Sequence, residues 1–245
     1  MSVNVGTFSI GEIYVGSDKI VKAYVGSELV YQSALPVRTF RFKFSNAAFD
    51  PSTTLASANL TWTAVNAASG IWDALNIKTG TDPYYELFRG LLSTTNMGSV
   101  RCELVGANAS DMVNATGLFR SCDALTTIGK MDLSNVTNAT LMCSDCTKLG
   151  YFADTNMDSL ENANAMFYNC SVFQLIPNLG QLPNITAVQS MFQNCKWAYT
   201  GILAMYNILS ARITTASNYR QCFRQCGTSS SSGSAELAQI PSGWK

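Results

Sequence analysis

The chain has 245 residues, an apolar share of 47 % and only 13 % charged residues, 16 basic against 16 acidic. A neutral chain without a basic run has no electrostatic footprint for nucleic acid or anionic lipid, so its polar surface must come from Ser, Thr, Asn and Gln. Histidine is absent, which removes the commonest general base, the commonest metal ligand and every Ser–His or Cys–His nucleophile pair.

Residues Met1 to Ile20 mix polar and apolar types, without the basic and apolar regions of a secretory signal. The most apolar stretch, Gly201 to Leu209, is far shorter than the roughly 18 residues of a membrane span. No membrane insertion is expected. A chain that starts at Met1 without an export signal either stays in the cytoplasm that made it or leaves within a larger particle.

Residues 1–36 repeat at a period of ten: Ile13-Tyr-Val-Gly-Ser-Asp-Lys-Ile-Val21 is echoed by Ala23-Tyr-Val-Gly-Ser-Glu-Leu-Val-Tyr31. Alternating β-branched and aromatic residues broken by Gly-Ser-Asp and Gly-Ser-Glu predict a small three-stranded β-meander. Such a sheet is marginal alone in water and needs a partner surface. The segment is similar to short Tyr-Val-Gly-Ser β-modules near the ends of structural proteins of tailed phages. That resemblance implies an attachment role, with Tyr14, Val15, Tyr24, Val25 and Tyr31 as the contact residues. The alternative is a hairpin that merely decorates the N-terminal end of the rest of the chain. Leu35-Pro36 makes a natural break.

Residues 37–97 do not repeat. Arg38-Thr-Phe-Arg-Phe-Lys-Phe44 alternates, with Phe40, Phe42 and Phe44 on one face and Arg41 and Lys43 on the other, which predicts a half-buried strand. Tyr84 to Leu92 is expected as a helix. Its Glu86-Leu-Phe-Arg-Gly-Leu91 faintly echoes a phrase that recurs further on. The segment is expected to be a β-rich cap over the first layer of a repeat array.

From residue 98 onward a five-residue phrase recurs: Leu118-Phe-Arg-Ser-Cys122, Met142-Cys-Ser-Asp-Cys146, Met166-Phe-Tyr-Asn-Cys170, Met191-Phe-Gln-Asn-Cys195 and Cys222-Phe-Arg-Gln-Cys226. The closing cysteines are 24, 24, 25 and 31 residues apart. A fixed period in the twenties is the signature of stacked repeats. Counting from each cysteine, Met112, Val136, Leu160 and Ile185 lie ten residues before it. Leu125, Leu149 and Phe173 lie three after, and Ile128, Phe152 and Ile176 six after. The local chemistry predicts a short strand, a turn and a short helix ending at the cysteine. A longer amphipathic helix is expected over 200–209, a flexible loop over 227–234, and a last strand around Leu237 to Ile240.

The phrase Leu-Ser-Asn-Val-Thr-Asn at 133–138, with the recurrent Met-Phe-x-x-Cys and Leu-x-x-Ile, resembles the BspA-type leucine-rich repeats of bacterial surface proteins, mycoplasmas and tailed phages. The resemblance covers roughly residues 98–245. The Asp132–Cys146 unit matches best, though Cys143 stands where Phe is expected. It implies an α/β fold, a leucine-rich-repeat-like right-handed solenoid used for binding or adhesion, with no catalytic residue to carry over.

Eight cysteines invite a metal or disulfide reading. Cys143-x-x-Cys146 and Cys222-x-x-x-Cys226 look like half-sites for zinc. Three repeats at the strand spacing would separate them by at least ~14 Å, which ~2.3 Å zinc bonds cannot bridge. The cysteines are expected to be small buried apolar residues, with Cys143–Cys146 the remaining redox candidate. Asp132, Asp154 and Asp158 read as turn or capping residues, and Asn-x-Ser/Thr triplets such as those at Asn135 and Asn184 as repeat chemistry. No cofactor or metal is expected. Trp197 and Tyr199 are the candidate partner-binding residues, as aromatics on a polar surface. They are equally able to pack under the 200–209 helix.

These readings combine into a non-enzymatic structural component of a tailed-phage virion, in the head or the tail. It would be homo-oligomeric, would contact other virion proteins, and would present a surface to a host protein or glycan. The alternative is a fragment of a bacterial cell-surface adhesin.

Overall fold

The computed structural model describes residues 38–245 and, as backbone alone, strands within residues 1–36. The chain divides into two units, residues 1–36 and 37–245. In the first unit, β1 (Tyr14–Val15) pairs antiparallel with β2 (Asp18–Lys19), and β3 (Lys22–Val25) with β4 (Glu28–Gln32). Val15 faces Asp18 and Val25 faces Glu28, so each pair is separated by one Gly-Ser dipeptide. The described strands are thus two separate two-stranded ladders and not the expected three-stranded meander. The side chains of Tyr14, Val15, Tyr24, Val25 and Tyr31 lie outside the described residues.

The second unit is built on one open, mixed six-stranded sheet. Its strands are β5 (Thr39–Phe44), β6 (Leu60–Asn66), β7 (Ile71–Asn76), β8 (Cys102–Asn108), β9 (Leu125–Ile128) and β10 (Tyr151–Phe152). The order is β10-β9-β8-β5-β7-β6, with β8, β9 and β10 parallel and the other pairings antiparallel. The alternation in β5 sets its faces. Phe40, Phe42 and Phe44 are buried, and Phe42 meets Trp62 at 5.8 Å and Phe88 at 5.3 Å. On the other face Arg41 grips Asp73 of β7 with two hydrogen bonds of 2.7 and 2.8 Å, the bidentate geometry that guanidinium and carboxylate favour.

The α/β solenoid expectation is corrected here. One strand and one helix per repeat would be needed, yet the described helices are few and short: α1 (Pro51–Thr54), α2 (Thr94–Met97), α3 (Ile202–Ser210), α4 (Ala216–Tyr219) and α5 (Ser231–Ala238). None lies between residues 98 and 201, and Tyr84 to Leu92 is not helical either. Helix α3 falls where the sequence spacing predicts one. Helix α5 takes the second half of the loop expected at 227–234 and the first half of the strand expected at 237–240.

Backbone conformation explains the missing helices. The fifth residue before each closing cysteine and the one directly before it have positive φ: Gly117 and Ser121, Leu141 and Asp145, Ala165 and Asn169, Ser190 and Asn194, Gln221 and Gln225. A right-handed helix cannot run through a left-handed residue every fourth position. Each phrase is instead a chain of turns bonded sideways to the next copy. Ala115, Gly117, Phe119 and Ser121 donate their N–H groups to the carbonyls of Asn138, Thr140, Met142 and Ser144 at 2.7–2.9 Å. Ala139 to Asp145 repeat this towards 162–168, as do 163–169 towards 187–193 and 188–194 towards 218–224. The intervening N–H groups of Leu118, Arg120 and Cys122 donate to the carbonyl three residues back. The backbone donors of the phrase are thereby satisfied without regular secondary structure.

The faint echo at 86–91 belongs to the same ladder: Glu86, Phe88 and Gly90 donate to the carbonyls of Thr116, Leu118 and Arg120. At the other end Phe223 donates to the carbonyl of Trp244, whose ring stacks on Tyr219 at 4.2 Å. The apolar columns read from the sequence are buried, including Met112, Val136, Leu160 and Ile185, and Leu125, Leu149 and Phe173.

Candidate recognition surface

After Cys170 and Cys195 the chain makes one turn, closed by the Phe173 and Ala198 N–H groups donating to the Cys170 and Cys195 carbonyls, and around it buried and outward-facing residues alternate. Phe173 and Ala198 are fully buried, while their neighbours Val172, Gln174, Trp197 and Tyr199 face outward and line a groove of about 390 Å³. Trp197 is 55 % exposed and Tyr199 46 %; neither packs away beneath α3. The backbone under them is fixed from both sides. Tyr199 donates to the Gln174 carbonyl at 2.9 Å, Ile176 to Thr200 at 3.2 Å, and Ala198 to Cys195 at 3.2 Å. The outer surface of the sheet carries further exposed apolar side chains, Leu75, Val105 and Tyr151.

Sequence reasoning found the two aromatics but not Val172 and Gln174. The signal was present: 172 and 197 both lie two residues after their cysteine, and 174 and 199 four residues after. Reading the repeat for its outward columns as well as its inward ones pairs them directly.

A second groove, of about 420 Å³, lies on the turn side and is lined by polar residues including Ser121, Asp123, Asp145 and Thr147. Its carboxylates have work within the fold. Asp123 accepts from the Thr94 N–H and hydroxyl at 2.6 and 2.8 Å, and Asp145 from the Asn169 amide at 3.1 Å.

All eight cysteines are buried free thiols. Desolvation raises every one of their pKa values, that of Cys122 to about 12. This environment disfavours the thiolate that nucleophilic or redox chemistry requires, and it applies to Cys143 and Cys146 alike. Tyr84 is buried and donates a short hydrogen bond to Asp111, which also accepts from Arg38 Nε at 2.8 Å. Burial first, and the Asp111 contact second, push the Tyr84 phenol up. Desolvation of Asp111 opposes its ionisation, but the bonds from Tyr84 and Arg38 prevail and hold its carboxyl below the usual range. The cluster ties the 82–86 turn to the 108–112 turn. Asp132 accepts from the Ser134 hydroxyl and N–H, the turn role expected of it. Among the described residues no group of His, Cys, Asp or Glu is arranged to hold a metal ion, and no helix is long and apolar enough to cross a membrane.

Fold and surface together define a protein of stacked turns and one open sheet, with an aromatic groove on its outside. Residues 91–205 match the model of a family described as "Mycoplasma protein of unknown function, DUF285", and over that stretch the chain is similar to that family. Comparison with curated proteins and with solved structures found no match.

Proposed function

We propose that this chain is a non-enzymatic structural component of a tailed-phage particle, in which the surface around Trp197 and Tyr199 recognises a partner. One observation carries the recognition role. Two large aromatics stand about half exposed on a backbone pinned by the ladder. Rigid aromatic side chains give contact area at low entropic cost, which suits them to recognition. The absence of histidine and the protonated, buried thiols support the non-enzymatic part of the reading. The particle assignment rests on the Tyr-Val-Gly-Ser phrases of residues 1–36 and on the BspA-like repeat phrases. A second reading, a bacterial cell-surface adhesin, is favoured by the matched family's description as Mycoplasma proteins.

The test is mass spectrometry of purified particles from the source, for the full chain and for a chain lacking residues 1–36. The full chain is expected in the particle and the truncated chain is expected to be lost from it. Retention of the truncated chain would remove the attachment role. Recovery of the full chain from the cell envelope, with none in particles, would select the adhesin.

A further inference from the structure

We infer that the groove between Val172, Gln174, Trp197 and Tyr199 is a binding subsite for a neutral carbohydrate. This deepens, and rests on, the reading of that surface as a recognition face. The lining decides the ligand class. It offers two aromatic faces, one aliphatic side chain, one exposed primary amide and no ionisable acid or base in its ordinary charged state. A sugar ring has a C–H face that packs on an aromatic plane and a rim of hydroxyls that pair with an amide, and it carries no charge needing a counter-charge. Aromatic side chains joined to a polar handle serve this division between an apolar and a wet side.

Other occupants fit less well. Single-stranded nucleic acid also stacks on aromatics, but it requires a positively charged track for its phosphates; the lining has no Lys or Arg and the chain is neutral. A peptide added as a further strand needs an open backbone edge. The edge next to Trp197 is already taken, because Gly227 and Ser229 donate to the carbonyls of Cys195 and Lys196 at 2.9 and 2.8 Å. Helix α5 lies so close that a Cβ on Gly233 would fall 2.0 Å from the Ala198 carbonyl oxygen. A globular protein partner needs a footprint of roughly 800 Å² per side, far more than four residues around a 390 Å³ recess supply. The recess matches one or two sugar rings.

The full chain would be titrated with maltotetraose, cellotetraose and chitotetraose, three neutral oligosaccharides that differ in linkage and acetamido content. Tryptophan fluorescence reports the site through its loss in Trp197→Ala, since Trp62 and Trp244 are buried, Trp72 is partly buried, and Trp197 is the most exposed large apolar side chain among the described residues. Saturable binding of at least one of the three is expected. Affinity should fall about tenfold or more in Trp197→Ala and Tyr199→Ala, less in Trp197→Phe, and severalfold in Gln174→Ala. Both aromatics are surface residues, so unchanged circular dichroism and melting temperature would accompany these losses. Binding of none of the three, or binding unaltered in Trp197→Ala, overturns the carbohydrate assignment. Attachment of the same variants to cells of the source separates the two levels. If Trp197→Ala abolishes attachment while no oligosaccharide binds, the recognition face stands and the carbohydrate falls. If attachment is also unchanged, both fall.

Discussion

At the scale of single residues, the closing cysteines explain themselves by what their sulfurs touch. Cys122, Cys146, Cys170 and Cys195 each direct Sγ at the carbonyl oxygen three residues before the closing position of the preceding copy: Phe88, Phe119, Cys143 and Phe167, at 2.9–3.2 Å. The site asks for a small apolar body with a weak donor, which describes a buried thiol. The residue three before the cysteine is Phe in every copy except one, and the rings stack: Phe88 on Phe119 at 5.4 Å, Phe167 on Phe192 at 5.4 Å, Phe192 on Phe223 at 5.7 Å. Cys143 interrupts the file. In the same copy the position six after the cysteine, Ile128 and Ile176 elsewhere, is Phe152, which meets Phe167 edge-on at 5.1 Å. We expect the two exchanges to compensate in volume through their shared neighbour Phe167. Cys143→Phe alone should overpack the layer and cost about 1–3 kcal/mol, and Phe152→Ile alone should leave a void of similar cost. The double variant should recover most of the loss, with a coupling of about 1 kcal/mol or more in urea unfolding. Strictly additive losses would show that the two positions fill separate space.

At the scale of the element, the unit of this fold is the four-residue alternation of right- and left-handed backbone. The left-handed column five residues before the closing position holds Glu86, Gly117, Leu141, Ala165, Ser190 and Gln221. Only one of these is glycine, so the others carry a steric cost that the ladder bonds hold in place. Ala165 is the clearest case: φ is 53°, and its methyl group forms no compensating hydrogen bond. Left-handed backbone costs a non-glycine residue roughly 1–2 kcal/mol, whereas glycine adds unfolded-state entropy worth about 0.5–1 kcal/mol. The first effect is the larger, so Ala165→Gly should stabilise the protein by about 0.5–1 kcal/mol, read as a higher urea midpoint. Gly117→Ala should move the other way, since its Cβ would also fall 2.8 Å from Glu86 Cγ. A lower midpoint for Ala165→Gly would contradict this account. The same alternation is why the sequence misled about helices. Met-Phe-x-x-Cys has apolar residues at helical spacing, and most left-handed positions hold Ser, Gln, Leu or Ala, which carry no mark as glycine would; only Asp145, Asn169 and Asn194 are of a type that favours left-handed backbone. The period and the buried columns were legible because burial acts on side-chain type. Handedness was not legible, because it is imposed by the neighbouring copy's hydrogen bonds and not by the residues themselves. The aromatic groove was half legible: Trp197 and Tyr199 stood out by type, while Gln174 and Val172 become neighbours only through the stacking of copies.

At the scale of the whole molecule, eight buried thiols make stability depend on alkaline pH. In the unfolded chain a thiol loses its proton near pH 8.5. In the folded chain burial holds each of the eight protonated to higher pH, Cys122 to about 12. Above pH ~8.5 the unfolded state therefore binds fewer protons than the folded state, and stability falls as pH rises. It is fully present below that value and is lost progressively towards the folded-state pKa values. Each thiol contributes about 1.4 kcal/mol per pH unit once its unfolded form is ionised. Eight together approach a slope on the order of 10 kcal/mol per pH unit, comparable with the roughly 5–15 kcal/mol that holds an ordinary domain folded. Melting temperature, measured under reducing conditions, should be flat from pH 7 to about 8 and should collapse within one or two units above 8.5. A thiol-reactive chromophore should label none of the eight cysteines in the native protein at pH 7.5 and all of them in denaturant. Labelling of several thiols without unfolding, or a melting temperature unchanged to pH 10, would mean that the cysteine file does not lie in the dry interior on which the stacking of the copies depends.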